Sequence, residues 1–149
     1  MTERAKFKGV ANFVIKQDNK FLLLFRTDGC FNYNGGTWVF PAGHIEYDET
    51  ATDATIRELK EELDITVLPK DVKFVHVISN LAGRTQGFDF FFSVNKYTGV
   101  IRNCETEHCE KIGFFTIPEI NRLGNVAPTT KQVLNMMQRH IKYSECRSY

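Results

Sequence analysis

The sequence predicts an α/β fold: an α/β/α sandwich in which a mixed central β-sheet is covered by helices on two faces. Three observations predict it. Short apolar runs rich in Val, Ile and Phe recur at residues 10–16, 21–25, 37–40, 72–81 and 87–94, and read as strands. One amphipathic helix falls between them, at 50–63, and two further helical patterns follow near 117–123 and from Pro128 onward. Helices at separate places around one set of strands imply a sheet sheltered on both sides. At 149 residues the chain has the length of a single domain, spanning 1–149, with room for a sizeable core.

The elements follow in order. Strands 10–16 and 21–25 are separated by Gln17, Asp18, Asn19 and Lys20, turn residues that predict a hairpin. Residues 29–36, rich in Asn and Gly, are a loop. A short strand at 37–40 is stopped by Pro41. The helix at 50–63 has a clear entry: Thr50 and Asp53 stand at capping-box spacing, with Asp in place of the commoner Glu. Ile56, Leu59 and Leu63 recur as its buried stripe, so its acidic side is expected to face away from the core. Pro69 confirms the stop. Strands at 72–81 and 87–94 flank the polar loop 82–86, and a shorter strand is expected at 111–116. Pro118 suits the first turn of a short helix. In the C-terminal helix Val133, Leu134, Met137 and Ile141 form one apolar face.

Composition excludes several classes of function. A net charge of +1 offers no basic field for duplex nucleic acid and no polybasic membrane patch. No apolar run reaches the roughly 18–20 residues needed to cross a bilayer, and the start lacks the apolar centre of a signal peptide. The four cysteines, Cys30, Cys104, Cys109 and Cys146, are scattered without a CxxC, which fits a reduced, cytoplasmic setting. Cys104, His108 and Cys109 lack zinc-ligand spacing and a clear fourth partner. Most of the thirteen phenylalanines sit in strands and are core residues, leaving Trp38, Tyr33 or one or two of them for a base pocket. His76, inside a strand, reads as structural.

The chemistry lies at 43–65. Glu58, Glu61 and Glu62 stand at i, i+3 and i+4 on the predicted helix, about 5–6 Å apart. Like charges at that spacing repel, and oxygen-only ligands select hard cations such as Mg2+ or Mn2+. Taken alone, such a helix is a solvated acidic face. Gly43 and Glu49, at their distances from Arg57, turn the reading toward a metal site beside a glycine loop.

The spacing itself is distinctive: Gly43, five residues, Glu49, seven residues, then Arg57, Glu58, Leu59, one residue, Glu61, Glu62, one residue, Asp64 and Ile65. This closely resembles the Nudix box. Every fixed position matches except the final glycine, which is Asp64 here. That position follows the helix, where a left-handed residue is common, and Asp tolerates it at a cost of about 1 kcal/mol or less. The resemblance extends back through Pro41, Ala42 and Gly43 to the first strands and is loose in the second half.

The resemblance implies a Mg2+-dependent hydrolase, with Mn2+ an alternative ion, acting on the phosphoanhydride of a nucleoside diphosphate linked to another group. It implies metal ligands at Glu58, Glu61 and Glu62 and the Gly43 carbonyl, and Arg57 as an orienting partner of carboxylates, with Glu49 nearest. Glu61 and Glu62 are first choices for the general base. Glu105, Glu107 and Glu110 are loop candidates, with Glu110 placed first and Glu107 second, and Glu110 also a further metal ligand. Arg26 ends a strand where relatives often place an arginine on substrate phosphate. His44, beside the metal loop, is a candidate for positioning substrate or water, and Arg84 for touching phosphate or base.

Features outside the box resemble the MutT-like group, which converts a nucleoside triphosphate, normal or oxidised, to monophosphate and pyrophosphate. A nucleotide-sugar hydrolase of the GDP-mannose type and a non-catalytic nucleotide-sensing module are the alternatives. The partner implied is a small nucleotide. Dimers are common among similar proteins, and a homodimer is compatible with the sequence.

Overall fold

The computed structural model describes residues 2–27, 35–82 and 85–148. Its elements are β1 (Lys8–Gln17), β2 (Lys20–Arg26), β3 (Thr37–Val39), β4 (Ala42–His44), α1 (Ala51–Leu63), β5 (Val72–Ala82), β6 (Thr85–Val94), β7 (Cys109–Phe115), α2 (Ile117–Arg122), α3 (Pro128–Gln138) and β8 (Tyr143–Ser148). The sheet runs β3-β2-β1-β6-β5-β8, with β4 joined to β1 and β7 to β2. β1 and β6 are parallel, as are β5 and β8; the other pairs are antiparallel, so the sheet is mixed. The expected hairpin forms, with Asp18 at φ 52° turning the chain.

Alternation along β1 and β2 sends side chains to opposite faces and creates two cores. Phe13, Ile15, Leu22 and Leu24 pack with Ala54, Leu59 and Leu63 of α1. Val14, Phe21 and Leu23 pack with Ile120 of α2 and Val133 and Leu134 of α3. The sheet is therefore covered on both faces, as the pattern predicts. Burying Leu59 or Leu63 contributes about 1.5–3 kcal/mol each, and Leu59→Ala would cost about 2–5 kcal/mol.

Both ends of α1 follow local sequence. Thr50 accepts from the Asp53 amide at 3.1 Å, and Asp53 accepts from the Thr50 amide at 2.9 Å, closing the capping box. Asp64 takes the left-handed conformation, φ 56° and ψ 34°. Its carboxylate pairs with Lys60 Nζ at 2.5 Å and with the Arg102 guanidinium. The variant residue therefore completes the turn and also ties α1 to the segment entering β7.

One expectation is corrected. Ile141 lies outside α3: the helix ends at Gln138, His140 turns left-handed at φ 55°, and the Ile141 carbonyl meets His76 Nδ1 at 2.8 Å. The chain then adds β8, a strand with little apolar alternation that exists because β5 offers it a parallel edge. His76 is fully buried between that carbonyl and Ser144 Oγ at 2.7 Å, a structural role as read.

Candidate active site

Arg57 organises the site. Its Nε and Nη2 fork onto Glu49 at 3.1 and 2.6 Å, and Nη2 also reaches the His44 carbonyl of β4 at 3.0 Å. Glu49 in turn accepts from the Glu46 amide at 2.7 Å. One guanidinium thus staples helix, loop and strand. Arg57's hydrogen bonds hold the Glu49 carboxyl below its ordinary pKa, and the same contact raises that of Arg57. The expected pairing of Arg57 with Glu49 is present.

The three helix acids do not share one solvated face. Glu62 is buried at 3% exposure, Glu58 is largely covered, and Glu61 stays out in solvent with its side chain 57% exposed. The reason is helical geometry. At about 100° per residue, positions 58, 61 and 62 spread over roughly 100° of the circumference, enough to run from water to core. Glu62 also follows Thr55 and Leu59, both fully buried, along the inward side. Among the described residues no three acidic, histidine or cysteine side chains stand preassembled around a metal position. Arg57 Nη1 bridges Glu58 at 2.7 Å and Glu61 at 3.5 Å, neutralising part of their repulsion.

Glu62 carries the strongest electrostatic signature. Burial, then the charges of Glu105 and Glu58, push its carboxyl up to about 9. The Arg26 guanidinium, 3.9 Å from Glu62 Oε1, offsets this only in part. Glu62 Oε2 meets no N–H or hydroxyl donor among the described residues; its polar neighbour is the Glu105 carboxyl, which favours the protonated form. Burial likewise raises Glu58.

Gly43 supplies close backbone approach. A Cβ there would lie 2.0 Å from Glu58 Cδ and 2.1 Å from Oε1. Only glycine lets β4 and the Glu58 carboxyl coexist in this arrangement. Gly43, His44, Arg26, Glu58 and Glu62 all line one cavity of about 630 Å³, within the usual size of a ligand pocket.

The acidic loop is placed differently from expectation. Glu110 does not line this cavity; its exposed carboxylate lies 3.6 Å from Lys111 Nζ. Strand alternation explains it: β7 starts at Cys109, whose side chain is buried, so Glu110 turns outward. Glu105 takes the place against Glu62. Its amide donates to Asn103 Oδ1 at 3.2 Å, its carbonyl accepts from the Cys109 amide at 2.8 Å, and the Cys104 amide donates to the Glu62 carbonyl at 2.9 Å. Glu107 is exposed on the intervening turn. Asn80 and Asp89 also line the cavity, and no local sequence signal marks them. Trp38 packs between Phe25 and Phe115 as core. Arg84 and Tyr33 lie outside the described residues.

Comparison with known proteins then decides the family: the NUDIX domain model matches residues 6–137. The chain belongs to the Nudix family. It is 28% identical over 139 residues to an uncharacterized Nudix hydrolase, YvcI, of Bacillus subtilis (strain 168), covering 87% of this chain and 78% of that one. It is 36% identical over 67 residues to an ADP-ribose pyrophosphatase of Methanocaldococcus jannaschii, across 45% of this chain and 37% of that protein. The structure of a MutT NUDIX hydrolase from Burkholderia pseudomallei superposes with a TM-score of 0.72 at 20% identity, covering 88% of this chain and 98% of that one; this likeness concerns the fold. Nudix membership makes the chain a hydrolase of phosphoanhydride bonds in nucleoside diphosphate derivatives. No helix among the described residues is long and apolar enough to cross a membrane.

Proposed function

We propose that this Nudix hydrolase is a Mg2+-dependent pyrophosphohydrolase that splits a nucleoside triphosphate, normal or oxidised, into monophosphate and pyrophosphate. The observation that carries the reading is Glu62. A buried carboxyl set against two further acids, Glu58 and Glu105, is costly to ionise unless a cation joins it. Its acidic neighbours Glu58 and Glu105 offer oxygen donors, which suit a hard divalent ion. Glu58, Glu62 and the Gly43 carbonyl would hold it, and the glycine cradle beside Glu58 fits that use. Glu61 would join by turning its exposed carboxylate away from Arg57. When bound, Mg2+ supplies charge neutralisation of phosphate oxygens and a lowered pKa for water.

The chain's own residues supply the rest. Arg57 orients Glu58 and holds the 45–49 loop. Arg26 lines the cavity at its acidic wall, where a guanidinium can face substrate phosphate. His44 lines it from β4 and would contact substrate or water. Glu105, beside Glu62, is assigned as the proton acceptor, ahead of the first choices Glu61, whose carboxylate is exposed, and Glu62, which is buried as a metal ligand, and in place of Glu110 on the loop. A water oxygen bonds to phosphorus, the bridging P–O bond breaks with its electron pair leaving on the departing phosphate group, and the water proton passes to the Glu105 carboxylate.

The test is product analysis for a panel of triphosphates, GDP-mannose and ADP-ribose, with and without Mg2+, reading pyrophosphate from the triphosphates and the nucleoside monophosphate or diphosphate from the other two. Metal-dependent release from triphosphates, lost in Glu62→Gln, supports the reading. Turnover confined to GDP-mannose or ADP-ribose, or tight nucleotide binding without turnover, overturns it.

A further inference from the structure

The segment that carries Glu105 is anchored to α1 at the residue where this chain departs from the Nudix box. An α-helix leaves its last carbonyls without partners of its own. At the end of α1 the Glu62 carbonyl accepts from the Cys104 amide at 2.9 Å, and the Leu63 carbonyl from the Arg102 amide at 3.2 Å. Residues 102–104 therefore cap the helix that bears the acidic side chains. Asp64 adds a contact that glycine cannot supply. One of its carboxylate oxygens accepts from the Arg102 guanidinium, and Lys60 Nζ holds the other at 2.5 Å.

The turn beyond is closed. Asn103 Oδ1 accepts from the Glu105 amide at 3.2 Å and Asn103 Nδ2 donates to the Cys109 carbonyl at 2.7 Å, so one side chain joins both ends of the turn. Further along, the His108 carbonyl accepts from the Thr27 amide at 3.0 Å, next to Arg26 at the end of β2. Glu105 thus rides on a turn held from two sides. Its carboxyl meets that of Glu62, and both residues line the cavity. On the α1 side the two backbone bonds depend on no side chain. The ion pair depends on Asp64 and Arg102 being the residues they are.

We propose that Asp64 and Arg102 are positioning residues for hydrolysis: they hold the 102–105 segment on the end of α1 and so keep the Glu105 carboxylate at the reaction centre beside Glu62. The inference rests on Glu105 as the proton acceptor and adds the device that aims it. The Arg102 side chain is 70% exposed, so the pair is modest in strength. Its effect on rate comes through geometry, because proton transfer needs its two heavy atoms within hydrogen-bond reach. Restoring the box glycine at position 64 should therefore impair this enzyme.

Amide hydrogen exchange of the metal-free protein tests the anchor without substrate. Asp64→Gly and Asp64→Asn should each speed exchange at Cys104 and Glu105 by about threefold to fivefold, with Leu59 in the core of α1 unchanged. Asparagine tolerates the left-handed turn, so it separates loss of the carboxylate from a change of backbone. Arg102→Met should match Asp64→Asn, and Arg102→Lys, which keeps the charge, should restore protection. Unchanged exchange at Cys104 and Glu105 in Asp64→Asn would overturn the anchor.

Kinetics test the aim, using whichever nucleotide of the panel above is turned over fastest with Mg2+, so that the substrate assignment does not enter. Asp64→Asn should lower kcat about fivefold with KM within about twofold. In a Glu105→Gln background the same substitution should leave kcat unchanged, since its effect passes through Glu105. A similar fall in that background would sink the positioning role and leave a general structural one. Wild-type kcat in Glu105→Gln alone would instead overturn Glu105 as proton acceptor, whatever the exchange rates show of the anchor.

Discussion

Arg57 and Glu49 form a two-pronged ion pair between the helix and the loop that precedes it, and the shorter prong is 2.6 Å. The same guanidinium reaches Glu58, so the loop's geometry and the first acid of the site share one anchor. Lysine keeps the charge but has no fork. Arg57→Lys should therefore lower kcat/KM by about 10- to 100-fold while the circular-dichroism spectrum stays unchanged. Wild-type activity in this variant would mean that the anchor is dispensable.

Gly43 makes a sharper test of contact. Its backbone is not left-handed, so alanine is allowed by φ and ψ, but the new methyl would collide with the Glu58 carboxyl. Gly43→Ala should cost about 100-fold in kcat, the usual effect of a displacement near 1 Å. The Mg2+ concentration for half-maximal activity should rise with it. Kinetics across a Mg2+ titration would reveal both.

Glu62 links the site to stability and pH. Its folded carboxyl is pushed up to about 9 from an ordinary 4.5, so the folded state holds the proton more tightly than the unfolded chain. Stability of the metal-free protein should then fall as pH rises from about 5 toward 9. Glu62→Gln removes that slope and should melt higher than wild type at pH 8 without metal, yet be inactive. Mg2+ should raise the melting temperature of the wild type more than that of the variant. Asp64, lowered by Lys60 and Arg102, acts in the opposite sense: its contribution is lost as pH falls below the ordinary aspartate range. Thermal melts across pH, with and without Mg2+, would separate the two.

Glu105 and Glu110 divide the acidic loop. Glu105 faces the site and Glu110 faces solvent. Glu105→Gln should lower kcat by about 100-fold, in the range of a lost general base, and Glu110→Gln by less than about twofold. Pyrophosphate-release rates for the pair would expose an inverted assignment.

Much of this was legible locally. The Thr50–Asp53 box, the left-handed Asp64 and the spacing of Glu49 from Arg57 each depend on residues within a few turns of one another, and each is present as read. The stripe reading of α1 failed at Glu62 because a periodicity of apolar residues does not say how far burial extends around the helix. The resemblance places Glu110 first on the acidic loop, but sequence cannot state where β7 begins, and a shift of one residue reverses the face. Strand β8 has no local signal because its residues carry little alternation of their own.

The order of residues alone determined the family spacing, the ends of α1 and the donor chemistry, since short-range sterics and hydrogen bonding act between near neighbours. Only the tertiary structure decided which acids are buried, which loop carboxylate meets Glu62, and that Asn80 and Asp89 share a cavity with them. Those relations pass through the parallel pairing of β1 with β6 and the docking of the 102–105 segment on α1, contacts between distant stretches whose register no local pattern encodes.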